Sequence, residues 1–276
     1  MTSQQPLVSI VVNNYNHAAY LEACLDALLA QSYSNIEIIA VDAYSNDNSR
    51  QILVNYALKD PRVKVVLCSQ YEKFPAVTYN LGFLNCRGDF IAVADPDDIS
   101  LPHRIEVQLI YLLTHPLVDA CGMNCREFND SQDILVETTL ERNLSIAAPP
   151  IRNPTLMCRK YSLARFGLWN CAYEPAADFE WLYRWFRQGA KFVLLPECGV
   201  MYRYAYGGNI SVRSRLDQTA KLASLRLYFG LFLLRGVGQR WWLVTCRTWL
   251  SWLKQWLVAL VGRVVTMPKK ETGRNR

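Results

Sequence analysis

The sequence predicts an α/β fold with a doubly wound, mainly parallel sheet and a helical, amphipathic C-terminal extension. Three observations carry that expectation. Short β-branched runs recur early in the chain: LVSIVV from Leu7, IEIIAV from Ile36, VKVVL from Val63 and FIAVA from Phe90. Segments with apolar residues at helical spacing lie between them, and such alternation argues for parallel strands. The first, second and fourth runs each end in a polar loop, and open parallel sheets bind ligands beyond the carboxyl ends of their strands.

Taken in order, Leu7–Val12 has the length and β-branching of a central strand. It gives way to Asn13-Asn14-Tyr15-Asn16-His17, a polar loop whose side chains can cap or bind. Tyr20–Gln31 places Leu21, Leu25, Leu28 and Leu29 on one helical face, and Ile36–Val41 is the second strand, ending in Asp42-Ala43-Tyr44-Ser45-Asn46-Asp47. Ser49–Leu58 reads as a helix, Val63–Leu67 as a strand and Ala76–Leu84 as a helix before Phe90–Ala94. Pro102 marks the expected start of the next helix, because its missing N–H is tolerated in a first turn.

The stretch RGDFIAVADPDDISLPHR, from Arg87 to Arg104, carries the densest chemistry. Asp95, Asp97 and Asp98 follow the strand directly. Like charges this close repel, and folding alone does not ask for them at a strand's mouth. A hard cation such as Mg²⁺ or Mn²⁺ does, since it prefers carboxylate oxygens and bridges to phosphates. A polar, helix-capping loop is the other reading, because loops favour Asp.

The second half is less periodic. Ala120–Met123 reads as a strand, Glu127–Glu141 as a polar segment with hairpin character, and Tyr161–Ala164 as a short helix closed by Gly167. Glu174–Trp181 opens a helix whose apolar face includes Leu182, Trp185 and Phe186. Asp178, at its start, is either a cap with a favourable dipole contact or a general base.

Composition limits the classes available. A chain of 276 residues that is 51% hydrophobic and 20% charged has ample material for a core, which argues against global disorder. Nine cysteines without a CxxC pair read as free thiols in a reducing compartment. The N-terminal MTSQQPLVSI has neither the basic nor the apolar region of a secretory signal. There is no G-x-G-x-x-G after the first strand, where NNYNHA stands, and no Walker-type loop, so phosphates must be met by another device. The Asp95 cluster with a metal is the available one. Tyr15 offers an aromatic face to a base, the alternative being an ordinary part-buried tyrosine.

The net charge of +6 comes from the end of the chain: from Lys221 onward there are eleven Lys and Arg residues against one acid, Glu271. Trp241–Val265 carries five of the eight tryptophans; Trp242, Trp249, Trp252, Leu253, Trp256 and Leu260 share one helical face, opposite Arg247, Ser251 and Lys254. Tryptophans at headgroup depth with cations toward anionic lipid describe an interfacial helix. Packing against the domain or a partner is the other reading. Cations interleaved with tryptophan do not suit nucleic acid.

With these residues in view, VSIVVNNYNHAAYLEACLDALLAQSYSNIEIIAVDAYSNDNS followed by NLGFLNCRGDFIAVADPDD resembles the inverting family-2 glycosyltransferases of the GT-A fold, over roughly Pro6 to Ser211. The resemblance implies transfer of a sugar from a nucleotide-diphosphate sugar to an acceptor hydroxyl, with Mn²⁺ or Mg²⁺ as cofactor. It makes Asp95-Pro96-Asp97 the DxD motif, with Asp97 a direct metal ligand and Asp95 both a ligand and a contact on the ribose or phosphate side. Asn13, Tyr15, Asp42, Asn80, Asp95 and Arg203 would bind the nucleotide sugar. Asp178 would be the catalytic base, with Glu180 the second candidate.

The family's second strand usually ends in two acids, the second commonly contacting the base. This chain has Asp42-Ala43, which leaves the base open, with Asp42 in part, or Asn46 or Asp47, as substitutes. The implied organisation is a transferase domain over 1–216, divided near 116 into donor and acceptor halves, and a basic, Trp-rich region over 217–276. A glycan or lipid-linked acceptor, peripheral membrane contact through 217–265 and a place at the inner face of the cytoplasmic membrane fit that organisation. Two alternatives remain at this level. One is a nucleotidyltransferase, which usually has a glycine-rich basic loop after strand one. The other is a degenerate binding protein of the same fold.

Overall fold

In the computed structural model, residues 5–71, 75–128, 134–138, 151–173 and 177–203 are described, all within the compact unit Met1–Gly208. The Trp-rich region 217–276 and most of Glu127–Glu141 beyond Phe128 lie outside them, apart from one strand. The elements run β1 (Val8–Asn14), α1 (Ala18–Leu29), β2 (Ile36–Asp42), α2 (Ser49–Lys59), β3 (Val63–Leu67), α3 (Pro75–Asn85) and β4 (Phe90–Ala94). They continue with β5 (Ile99–Ser100), α4 (Arg104–Thr114), β6 (Ala120–Phe128), β7 (Ile134–Thr138), β8 (Met157–Arg159), α5 (Lys160–Phe166), α6 (Ala177–Arg187) and β9 (Phe192–Arg203).

One sheet of nine strands joins them in the order β3-β2-β1-β4-β8-β6-β9-β5, with β7 beside β6. The contiguous β3-β2-β1-β4 block is parallel, as expected of the strand–helix alternation, and β6 and β9 also pair in parallel. Antiparallel β8 joins the two parallel groups through Phe90–Arg159 and Ala120–Cys158. Both β5 and β8 are too short to show a period in sequence, so neither was expected.

Successive strand side chains point to opposite faces, and the core divides accordingly. Val8, Ile10 and Val12 pack with Leu21, Leu25 and Leu28 of α1 and with Ile105, Leu109 and Leu112 of α4. Val11, Ile39, Val41, Ile91 and Val93 pack on the other face with Tyr79 and Phe83 of α3 and Trp181 and Trp185 of α6. Helices therefore cover both faces. α3 approaches β1 so closely at Gly82 that an added Cβ would stand 2.4 Å from Val11 Cγ1.

Three details differ from expectation. β1 runs on to Asn14, so Asn13 and Asn14 are strand residues held in register with Val41 and Asp42. α4 begins at Arg104, because the chain at Pro102 is still in a turn whose carbonyl accepts the Ser32 N–H at 2.8 Å. Phe186 is exposed, and the buried face of α6 is formed by Phe179, Trp181, Leu182 and Trp185.

At the end of the sheet away from the polar loops, buried Glu37 ties strands together. Its carboxylate accepts from Ser9 Oγ (2.7 Å), Lys64 Nζ (2.9 Å), the Arg87 N–H (2.7 Å) and Arg87 Nε (2.9 Å), and Ser9 Oγ in turn accepts the Gly88 N–H. Burial by itself would raise this carboxyl, but the four donors outweigh it and hold it down at about 2. A group depressed on folding stabilises above its unfolded range and loses that contribution as pH falls toward its folded value. Urea titrations at pH 7 and pH 3 are expected to show Glu37 contributing roughly 2 kcal/mol to the acid loss. Glu37→Gln should be less stable than the parent at pH 7 and show a flatter acid limb.

Candidate active site

The carboxyl ends of β1 and β2 are joined by side chains. Asn14 and Asp42, both fully buried, are register partners. Asp42 Oδ2 accepts from Asn14 Nδ2 (2.9 Å) and Ser45 Oγ (2.6 Å), while Oδ1 accepts the Ser45 N–H (2.9 Å) and lies 3.5 Å from Arg50 Nε. Ser45 Oγ accepts the Asn16 N–H and Asn16 Oδ1 accepts the Asn46 N–H, each at 2.9 Å. Asn16 and Tyr44 reach these positions with left-handed φ values of 56° and 71°, which Asn tolerates better than Tyr. As placed, Asp42 fastens the two loops to each other. Asp47 is likewise committed, accepting the Ala18 and Ser49 N–H groups.

What this end presents outward is aromatic. Tyr15 is 38% exposed, its ring 4.9 Å from that of exposed Tyr71. Exposed Tyr44 lies under the Arg50 guanidinium at 5.4 Å. The Oδ1 atoms of Asn13 and Asn14 are buried without a hydrogen-bond partner. Ala43 is buried and adds no polar side-chain atom.

Beyond β4, the three acids sit in three different environments. Asp95 Oδ1 accepts from the Tyr79 hydroxyl at 2.6 Å, with Asn153 Nδ2 3.4 Å away. Burial is the main cause raising its carboxyl to about 6; the Tyr79 hydroxyl opposes that, and the charges of Asp97 and Asp178 add to it. Asp98 is buried. Its Oδ1 accepts the Arg203 N–H at 2.8 Å and its Oδ2 has no partner. Burial first, then repulsion from Asp95 and Asp97, raises it well above the usual carboxylate range. Asp97 is half-buried, and its carboxylate has no hydrogen bond or ion pair among the described residues.

Two arginines hold this loop. Arg104 is completely buried and donates to the carbonyls of Val93 (2.7 Å) and Leu156 (3.3 Å), to Ser100 Oγ (2.9 Å) and to Gln108 Oε1 (3.2 Å). Burial lowers its guanidinium to about 10, against the opposing pull of Asp98 and Asp95. Arg203 lies between the rings of Tyr20 (4.4 Å) and Phe128 (4.5 Å) and donates through Nε to the Asp97 carbonyl.

Among the described residues no group of three or more His, Cys, Asp or Glu side chains is arranged to hold a metal by itself. The donor set still fits one. Asp97 offers an unshared carboxylate and Asp95 a second, and Mg²⁺ or Mn²⁺ commonly completes its shell with water and phosphate oxygens.

Asp178 lies in the first turn of α6, its Oδ1 accepting the Phe179 N–H at 2.8 Å, so the capping reading has some substance. Burial raises its carboxyl, and its negative charge adds to the upward shift of Asp95 and of the Tyr79 hydroxyl. Glu180, the second candidate base, is buried and ion-paired to Arg184 at 2.8 Å. Asn80 exchanges two hydrogen bonds with the Trp169 backbone, at 2.9 and 3.0 Å, and so holds that segment against α3. Sequence reasoning missed Tyr79, Asn153, Arg104 and Ser45. Tyr79 and Asn153 reach Asp95 across 16 and 58 positions, Ser45 joins Asn14 and Asn16 across 31 and 29, and Arg104 reaches Leu156 across 52, separations at which sequence shows no pattern.

The glycosyl transferase family 2 model matches residues 9–172. The chain belongs to that family. Among curated relatives, a Bacillus subtilis protein provisionally named a teichuronic acid biosynthesis glycosyltransferase, TuaG, is 34% identical over 113 residues, covering 41% of this chain and 44% of its own. The chain spans less than half the length of the first curated relatives it matches. S. aureus TarS 1-349 in complex with UDP-GlcNAc superposes with a TM-score of 0.63 at 18% identity, over 80% of this chain and 66% of that one. The mannosyltransferase PcManGT from Pyrobaculum calidifontis, in complex with GDP-Man and Mn²⁺, gives 0.63 at 16% identity over 97% and 77%. At these identities the likeness is one of fold, and that fold is the mixed α/β sheet of GT-A glycosyltransferases.

Asp42 is expected to act on stability. Asp42→Ala leaves the Ser45 N–H without its acceptor and the Asn14 amide with only Ser45 Oγ at 3.2 Å, which costs about 1–3 kcal/mol. Urea unfolding of the ligand-free protein measures it; an unchanged midpoint would mean the carboxylate is not the fastening it looks to be.

Proposed function

We propose that the chain is a metal-dependent, inverting glycosyltransferase that moves a sugar from a nucleotide-diphosphate sugar to an acceptor hydroxyl. The observation that carries this reading is Asp97, a carboxylate with no hydrogen bond or ion pair among the described residues, beside Asp95 at the mouth of β4. Tyr15, with Tyr71, offers a stacking face for the base, and Asn13 an amide acceptor near it. Asp97 and Asp95 are the residues that would hold Mn²⁺ or Mg²⁺. When bound, the ion supplies positive charge to the diphosphate as it leaves.

Asp178 takes the proton of the acceptor hydroxyl as that oxygen attacks the anomeric carbon from the opposite side, and a carboxyl raised by burial is the better base for it. Arg203 supports the site through the Asp97 carbonyl and Asp98. Asp42 and Asn80 serve donor binding by shaping the loops around it.

The names of relatives point to cell-envelope polymers as the product class, with a glycan or lipid-linked acceptor. The two structural neighbours carry different bases, UDP-GlcNAc and GDP-Man, and Ala43 leaves this chain without the second acid, so the base is a matter for measurement. No described helix is long and apolar enough to cross a membrane. The division into a transferase domain over 1–216 and a basic region over 217–276, with peripheral contact to the inner face of the cytoplasmic membrane through 217–265, is proposed on sequence alone. A second reading, a binding protein of this fold without turnover, draws on Ala43.

Thermal unfolding in Mn²⁺ with UDP, GDP, dTDP or CDP tests the donor site, since a ligand specific to the folded state raises the midpoint. One nucleotide is expected to give a metal-dependent rise that Asp97→Ala abolishes. No rise with any nucleotide would overturn the donor site.

A further inference from the structure

The contacts on Asp95 are asymmetric. Oδ1 is engaged by Tyr79 and approached by Asn153, whereas Oδ2 has no hydrogen-bond partner among the described residues. We infer that Tyr79 and Asn153 are positioning residues that lock the Asp95 carboxylate so that Oδ2 alone is turned to the metal and donor diphosphate. This rests on the function proposed above.

The Tyr79 hydroxyl has one proton, and it goes to Asp95 Oδ1 at 2.6 Å; its oxygen accepts from Asn153 Nδ2 at 2.9 Å. With both roles taken, the hydroxyl has little freedom to turn elsewhere. The phenol ring is fixed as well. It is buried, and stacks on Trp169 with centroids 4.5 Å apart and planes 29° off parallel. Trp169 is itself held by the reciprocal pair with Asn80, one residue along α3.

Asn153 opens a short turn, Asn153–Thr155, whose carbonyl accepts the Leu156 N–H at 3.1 Å. The Leu156 carbonyl accepts the Val93 N–H at 3.0 Å, so the turn is fastened to the strand that delivers Asp95. Three separate parts of the chain, α3, the end of β4 and the turn at 153, thus meet on one carboxylate oxygen. A metal ligand held this way has its orientation set before metal arrives, and losing such an outer partner typically costs 10–100-fold in metal affinity.

The test is Mn²⁺ binding, measured by the electron paramagnetic resonance signal of free Mn²⁺, in the presence of the nucleoside diphosphate that stabilises the parent protein. Tyr79→Phe keeps the ring and its stack and removes only the hydroxyl. It is expected to raise the Mn²⁺ Kd about 10-fold, with the ligand-free unfolding midpoint nearly unchanged. Asn153→Ala is expected to weaken Mn²⁺ by a smaller factor. The double variant should bind at least as weakly as Tyr79→Phe alone, because Asn153 holds the hydroxyl at 2.9 Å and reaches Asp95 Oδ1 itself at 3.4 Å.

If Tyr79→Phe binds Mn²⁺ as the parent does while Asp97→Ala does not, the positioning inference is overturned and the donor site stands. A drop in unfolding midpoint with the Mn²⁺ Kd unchanged overturns it too, by assigning Tyr79 to packing. If the parent binds no Mn²⁺ with any nucleotide, the proposed function fails first and the inference with it. Should Tyr79→Phe not fold, Asn153→Ala answers the same question: an unchanged Kd would overturn the inference.

Discussion

A guanidinium closed off from solvent underlies the acid loop. Burying a charge is costly unless it is paired and hydrogen-bonded, and Arg104 meets that cost with four acceptors from separate parts of the chain. Val93 precedes the acids, Ser100 follows them, Leu156 precedes β8, and Gln108 lies one turn on in α4. The loop Asp95–Asp98 is therefore pinned at both ends by one side chain. Burial and the neighbouring acids push the Asp98 carboxyl strongly toward neutrality, against a hydrogen bond from the Arg203 N–H and the smaller pull of Arg104. Arg203 completes the support from β9 by stacking between two rings and bonding the loop backbone. Neither arginine forms an ion pair with Asp97. Among the described residues the Asp97 carboxylate is thus left without a hydrogen bond or ion pair.

That division of labour runs through the whole site. Polar residues of similar type at the strand ends do two different jobs, and their partners tell them apart. Asp42, Asp47, Glu180 and Asn80 are occupied by donors within the protein and set loop geometry. Asp97 and Tyr15 keep free faces. Asp178 combines both, bonding one N–H of its helix while its charge bears on Asp95. A rigid arrangement of this kind suits chemistry that depends on placing a leaving diphosphate and an attacking hydroxyl on opposite sides of one carbon.

Much of the fold was legible in the sequence because buried parallel strands are continuous β-branched runs. Val63–Leu67 and Phe90–Ala94 match their expected limits. The antiparallel half was not legible. Three residues of β8 and two of β5 cannot show a period, and their pairing is set by partners some sixty to a hundred positions away. For the site, residue type located the acids correctly at the strand ends, because clustered like charge is unusual. Residue type could not say whether an acid faces inward. Asp42 and Asp97 look alike in sequence and differ only in what surrounds them. The hydroxyl of Tyr79 was hidden for a related reason: it lies on the buried face of an ordinary amphipathic helix.

The most direct test of the account is to follow a sugar nucleotide by proton NMR with the parent protein, Mn²⁺ and a mixture of envelope glycan acceptors. The account predicts that an α-linked donor is consumed and a β-linked product appears. Asp178→Asn should slow this by about 10²–10⁴-fold while still binding Mn²⁺ and nucleotide. A product that retains the donor's configuration, or an Asp178→Asn variant as fast as the parent, would contradict the account.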